Sequence, residues 1–111
     1  MATLTTHLKR CDLISLEGRY DSGTAPELEA AIKASMDQDV YRIVLDMSKV
    51  EYFGSAAIRV FVVAYKTCRR WNRGDVRLAA VPERIQHVFE LAGLWDIVGT
   101  FADATLAVGS F

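Results

Sequence analysis

Ser55 is the side chain in this sequence best placed for chemistry. It follows Gly54 where the apolar run Arg42-Ile43-Val44-Leu45 gives way, through Asp46-Met47-Ser48-Lys49-Val50-Glu51-Tyr52-Phe53, to a long helical pattern. A loop turning into a helix offers free backbone N–H donors and a positive field, which suit an anion or a phosphorylated side chain. Catalysis would need more. A nucleophilic serine requires a base, and Ser55 lies in Gly-Ser-Ala-Ala, not in the Gly-x-Ser-x-Gly nucleophile elbow. His7 falls in a strand pattern and His87 on a polar helix face, and the sequence supplies neither with a recognisable orienting acid. No glycine-rich phosphate loop is followed by a lysine. Asp21 and Asp46 could flank one site, with loop capping and strand-end hydrogen bonding as their plainer roles. No residue is therefore assigned a catalytic role, and an enzyme is not expected. From its chemistry alone Ser55 has two readings, an ordinary N-cap serine or a switch that accepts a phosphate.

The totals narrow the class. The chain has 111 residues, 51% of them apolar and 24% charged, with a net charge of −1. That suits one compact domain over residues 1–111 and gives no basic excess for nucleic acid. No apolar run approaches the roughly 20 residues of a membrane span, and the first residues lack the order of a signal peptide. Cys11 and Cys68 lie far apart and read as reduced, packed thiols of a cytoplasmic protein. With two histidines and no paired cysteines, neither a metal site nor a cofactor is expected.

The elements that must position Ser55 follow from periodicity. Residues 3–9 and 11–20 read as strands joined by a polar turn, with Gly18 as a break and residues 19–23 as a loop. Thr24-Ala25-Pro26-Glu27 reads as a capping box opening a helix, with Leu28, Ala31, Ile32, Ser35 and Met36 on one side. Arg42–Asp46 reads as a central strand, followed by a loop to Gly54. A helix from Ser55 to about Trp71 or Asn72 places Ile58, Phe61, Val62, Tyr65 and Cys68 on a core stripe and Arg59, Lys66 and Arg70 in solvent. Val60, Ala64 and Trp71 add an apolar flank, with Val63 near the charged side. That flank either packs within the domain or meets a partner. Residues 76–81 read as a strand. Pro82-Glu83 opens a helix bearing Ile85, Val88, Phe89 and Ala92, which Gly93 ends with Leu94 as its hydrophobic contact. Residues 94–98 read as a helical turn, Thr100-Phe101 as a short edge strand and residues 102–108 as a last weak helix. The order predicts an α/β fold, a mixed sheet with right-handed crossovers and helices packed on it. Loops leaving strand ends, around Asp21 and around Ser55, are the expected binding loci.

Three stretches, in this order, resemble STAS domains of the anti-sigma factor antagonist type. Residues 16–28 resemble the family's glycine, Asp and Thr-Ala-Pro segment. Residues 43–58 are similar to its strand, Asp-apolar-Ser and serine signature. Residues 81–94 match its closing helix, which ends in apolar-x-Gly-Leu. The resemblance covers about Thr3 to Val108. It implies the STAS fold, with a four- to five-stranded mixed sheet and about four helices. Ser55 matches the serine that family kinases phosphorylate, and Asp21 an acidic loop residue beside it. Gly54 stands where many members have Asp, and Ala57 where most have Gly. Arg59 fits a variant subgroup with a small residue before the serine.

The function this resemblance implies is partner switching. The unphosphorylated form would bind a serine kinase of the histidine-kinase-like ATPase type that doubles as an anti-sigma factor. Phosphorylation at Ser55 would abolish binding, and a metal-dependent serine phosphatase would restore it. The expected partner-binding surface is Asp21, Ser22, Thr24, Gly54, Ser55, Ala56, Arg59, Val60 and Val63, on a monomer or weak dimer. The alternatives are an unphosphorylated STAS accessory subunit of a lipid or anion transporter or other regulatory assembly, and a small-molecule sensing domain of the same fold.

Overall fold

The computed structural model describes residues 2–111, apart from the side chains of Ala2 and Trp71. Nine main elements follow in order: β1 (Ala2–His7), β2 (Asp12–Tyr20), α1 (Ala25–Asp37), β3 (Arg42–Phe53), α2 (Ser55–Arg69), β4 (Asp75–Ala79), α3 (Glu83–Leu91), β5 (Thr100–Phe101) and α4 (Ala104–Gly109). One 3₁₀ turn, Arg70–Asn72, follows α2. The strands lie in sequence order in one sheet. β1 runs antiparallel to β2, and every later pair is parallel. The expected mixed sheet with four α-helices is therefore the fold observed.

Strand order decides where the helices lie. Each parallel strand adds at the same side of its predecessor, so crossovers of one hand carry α1, α2 and α3 to one face. The main core accordingly joins Leu28 and Ile32 of α1, Phe61 and Cys68 of α2, and Ile85 and Phe89 of α3 to Ile14, Leu45 and Leu78 of the strands. α4 packs on the opposite face, where Ala107 meets Cys11, Val44 and Ala79. The two thiols thus belong to different cores, both buried and both free. Burial, reinforced by Asp75, pushes the Cys68 thiol up to about 11, and burial also raises Cys11.

The strand that delivers Ser55 is longer than its sequence suggests. β3 continues past Asp46 to Phe53, beyond the reach of β4, which pairs only with residues 42–46. Over this extension β3 pairs with β2 alone, and the register shifts twice, between Ser15/Glu17 and between Gly18/Arg19. Each shift inserts one extra β3 residue, a bulge that re-aims the side chains after it. Met47, Val50 and Phe53 therefore all turn inward, a spacing of three that an unbroken strand would not allow. β2 likewise runs through Gly18 to Tyr20, which is buried and not in a loop.

Two caps differ from expectation. Thr24 forms no capping box. Its hydroxyl turns back and donates to the Arg19 carbonyl at 2.7 Å while accepting from the Asp21 N–H at 2.9 Å. The 3₁₀ turn ends α2 at Arg69, short of Trp71. The Trp71 side chain lies outside the described residues. At the end of α3 the expected motif is present. Gly93, at φ 74°, donates to Glu90, and Leu94 donates to Phe89, the paired bonds of a Schellman cap.

The histidines also differ from the sequence reading, since each has a carboxylate. His7 Nδ1 lies 2.9 Å from Asp12, whose other oxygen accepts from Ser35 at 2.6 Å. His87 lies 3.1 Å from Glu90. In the first cluster the carboxylate stands between serine and histidine, so the imidazole cannot take the serine proton. That arrangement ties the β1–β2 hairpin to α1 and is not a nucleophile–base pair.

Candidate functional site

Ser55 stands at the first position of α2, and its position is fixed from below. Phe53, the last β3 residue, is buried in an aromatic stack with Tyr20 at 6.2 Å and Phe89 at 5.6 Å. The single linking residue, Gly54, donates its N–H to the Tyr20 carbonyl at 2.9 Å and is the N-cap. No loop separates strand from helix, so the helix start inherits the rigidity of the sheet. Ser55 is therefore not the N-cap. Its hydroxyl is exposed and makes no hydrogen bond among the described residues.

The electrostatics of this corner favour a negative group. A helix leaves its first-turn N–H donors unpaired, and no acidic residue stands in the first turn of α2 to compensate them. Arg59 lies one turn on, exposed, with no ion pair among the described residues. A side chain four residues along a helix leans back toward its N-terminus, so the guanidinium can reach a charge carried on Ser55. Ala56 and Val60 are half-buried beside it, and Val63 is 59% exposed on the same outward stretch. Ala57 is fully buried, its methyl group part of the core.

The Asp21 loop emerges beside this corner, because Tyr20 pairs with Phe53 at the ends of the parallel strands. Asp21 organises its own loop. Its Oδ1 accepts from the N–H groups of Gly23 at 2.9 Å and Thr24 at 3.2 Å. The Gly23 N–H foremost, joined by the Thr24 hydroxyl and N–H and the Arg19 charge, outweighs the opposing desolvation and holds its carboxyl below the ordinary value of 3.8. The loop stabilisation from Asp21 is thus complete above 3.8 and is lost as pH falls through the lower folded midpoint. An NMR titration of the Asp21 carboxyl carbon is expected to give a midpoint below 3.8, followed by the Gly23 amide; a midpoint at or above 3.8 would mean the turn does not form in solution. Ser22 is exposed at the loop tip, and Thr24 is half-buried behind it. Asp46 does not join Asp21. It lies seven residues back along β3, paired with Ser15, and accepts from the Ser48 N–H at 3.0 Å.

Two residues of this corner escaped the sequence reading. The Tyr52 ring lies against Gly54, where an added Cβ would meet it at 2.8 Å. Arg19 stacks over the outer face of that ring at 4.6 Å from its centre. An aspartate at position 54 would force the ring aside, so the glycine here and Tyr52 belong together. The signal was present in the departure of Gly54 from the common pattern.

Comparison with known proteins identifies the fold and the family. The family model for the STAS domain matches residues 3–107. A putative anti-sigma factor antagonist of Bordetella bronchiseptica, BtrV, is 30% identical over 96 residues, which is 86% of this chain and 82% of that protein. The crystal structure of an anti-sigma factor antagonist from Mycobacterium paratuberculosis superposes with a TM-score of 0.86 at 24% identity, over 98% of this chain and 92% of that one. The phosphorylated form of the Bacillus cell fate determinant SpoIIAA shares the fold, with a TM-score of 0.77 at 17% identity over 98% of each chain. The chain belongs to the STAS domain family, and within it to the anti-sigma factor antagonists.

Proposed function

We propose that this protein is a phospho-switched antagonist of an anti-sigma factor, and that Ser55 carries the switch. The observation that carries the reading is the exposed, uncapped Ser55 hydroxyl at an acid-free helix start with Arg59 one turn away. The partner is a serine kinase of the histidine-kinase-like ATPase type that also acts as the anti-sigma factor. It binds the unphosphorylated corner formed by the Asp21–Thr24 loop, Gly54–Ala56, Arg59, Val60 and Val63. Transfer of the γ-phosphoryl of ATP to Ser55 Oγ releases ADP, and the hydroxyl proton leaves to a base on the kinase. A metal-dependent serine phosphatase hydrolyses the ester and restores binding.

The physical asymmetry of the switch lies between fold and interface. Phosphate adds about −1.5 to −2 charges at neutral pH. At this helix start the chain itself accommodates that charge, gaining about 0.3–1 kcal/mol from the dipole, with Arg59 as a further partner. A partner surface that closed over a neutral serine must instead desolvate a dianion.

The direct test is incubation with the cognate kinase and ATP, followed by peptide mass mapping. Phosphate on the peptide containing Ser55 is expected, and phosphate elsewhere or nowhere would end the proposal. A second prediction concerns Val63, which is 59% exposed and contributes little to the core. Val63→Glu is expected to weaken kinase binding at least about tenfold, the loss of one well-placed apolar contact, while the melting curve stays within about 2 °C of wild type. A large loss of stability would put Val63 in the core and remove it from the docking surface.

A further inference from the structure

Four of the thirteen cationic side chains, Arg42, Arg69, Arg73 and Arg77, line one pocket of about 350 Å³. It lies at the opposite pole of the sheet from Ser55, where β3 and β4 begin and α2 ends. The 15 residues of α2 separate the two poles by about 20 Å. Asp75 is the one acid lining this pocket among the described residues. The chain as a whole carries a net charge of −1, so this concentration of cations does not reflect a basic protein.

Three of the four guanidinium groups are held in place. Buried Asp75 takes Arg77 Nε at 3.1 Å and Arg69 Nη1 at 3.3 Å. Arg77 also donates to the Ser110 carbonyl at 2.8 Å and lies over the Phe111 ring at 4.0 Å. Arg73 lies over the Tyr41 ring at 4.9 Å and donates to its hydroxyl at 3.0 Å. Arg69 lies against Tyr65 at 5.2 Å. A guanidinium stacked by its face keeps N–H donors free along its edges, and it loses less freedom when a ligand arrives. The Arg42 side chain has no hydrogen bond or ion pair among the described residues. At the rim, the main-chain oxygen of Phe111 already accepts from a fifth arginine, Arg10, at 3.4 Å.

The Asp75 carboxylate pairs with two of the four guanidinium groups. Even a second negative charge at the Phe111 main chain, which Arg10 already engages, would leave the cations in excess of acid, so the cluster's like charges repel. A single phosphate is satisfied by one bidentate arginine, whereas four arginines spread around a pocket of ligand size suit an anion with several phosphoryl groups. We infer that this pocket binds a small soluble molecule carrying two or more phosphoryl groups, at a site separate from the Ser55 corner. Arg69 and Arg77 form the fixed floor through Asp75, and Arg42 and Arg73 close on the ligand from the exposed rim.

The test uses the whole protein and inorganic pyrophosphate as probe, in about 0.15 M salt so that loose ion pairing is screened. Amide NMR is expected to show saturable shifts at Gly74, Asp75 and Arg77, and none at Ser55 or Ala56. Orthophosphate is expected to bind more weakly. The double variant Arg42→Ala/Arg73→Ala, which leaves both Asp75 ion pairs intact, is expected to bind at least about tenfold more weakly. Arg84→Ala, an exposed arginine on α3, is expected to match wild type. The inference is overturned if pyrophosphate gives no saturable shift, if orthophosphate binds equally well, or if Arg84→Ala weakens binding as much as the double variant. Sedimentation with phosphatidylglycerol vesicles but no response to pyrophosphate would overturn it in favour of a lipid headgroup.

Discussion

Ser55→Asp is expected to weaken binding of the cognate kinase by about a hundredfold or more, equivalent to about 2.7 kcal/mol, while the protein stays folded. The folded state has no reason to resist the change. The Ser55 side chain is exposed, makes no hydrogen bond among the described residues, and stands where a helix favours an acid. Melting within about 2 °C of wild type, or slightly above it, is therefore expected. The interface has every reason to resist it. A partner that encloses the Gly54–Ala56 corner must strip water from a carboxylate, and the first-turn donors and Arg59 remain on the antagonist's own side. Ser55→Ala removes the proposed phosphate acceptor without adding charge, so it should bind about as well as wild type and stay bound after ATP is added. Titration calorimetry with the three proteins separates the cases. Binding of Ser55→Asp within a factor of about two of wild type would remove the electrostatic account.

Gly74→Ala is expected to destabilise the fold severely, costing about 3 kcal/mol or more. Gly74 sits just before β4, against the start of β3. A Cβ there would meet the Tyr41 carbonyl oxygen at 2.1 Å and its carbon at 2.4 Å. These atoms are backbone, and that same oxygen accepts the Asp75 N–H at 3.0 Å, so nothing can swing aside. Relief requires β4 to move away from β3, and with it the Asp75 carboxylate that anchors Arg69 and Arg77. For a chain of this size each kcal/mol is worth about 4–8 °C, so the midpoint should fall by more than about 12 °C. Gly109→Ala is the control, since a Cβ there meets nothing within 4 Å. Equal urea midpoints for the two variants would show that the strand junction is looser than its geometry.

Much of the scaffold was legible because apolar periodicity and punctuation agree locally. The Leu28, Ile32 and Ser35 face and the Gly93-Leu94 cap follow from spacing alone. On α2, by contrast, only Phe61 and Cys68 of the expected stripe are fully buried: Ala57 and Ala64 complete that face, and Ile58, Val62 and Tyr65 pack at its edge. The second half of β3 was not legible. Its two bulges space the inward residues by three, which reads neither as strand alternation nor as a helix. Thr24 misled for a related reason. The Thr-x-x-Glu spelling is a capping box only if the threonine faces its own helix, and here Asp21 and the Arg19 carbonyl compete for it successfully. Although Ala64 of the expected flank lies in the core, at the Ser55 corner the sequence identified the helix start. It could not place Arg19 and Tyr52, because a cation stacked on a ring across two strands depends on a register that only the bulges set.

The separate burial of Cys11 and Cys68 has a practical consequence. Maleimide dyes react with thiolates, and these two thiols are both shielded and shifted away from ionisation. The unaltered chain should stay dark under brief labelling at neutral pH. A single cysteine introduced at Lys66, exposed on α2 outside the proposed docking surface, would then carry the only fast-reacting dye, and its fluorescence would report partner docking and release in real time.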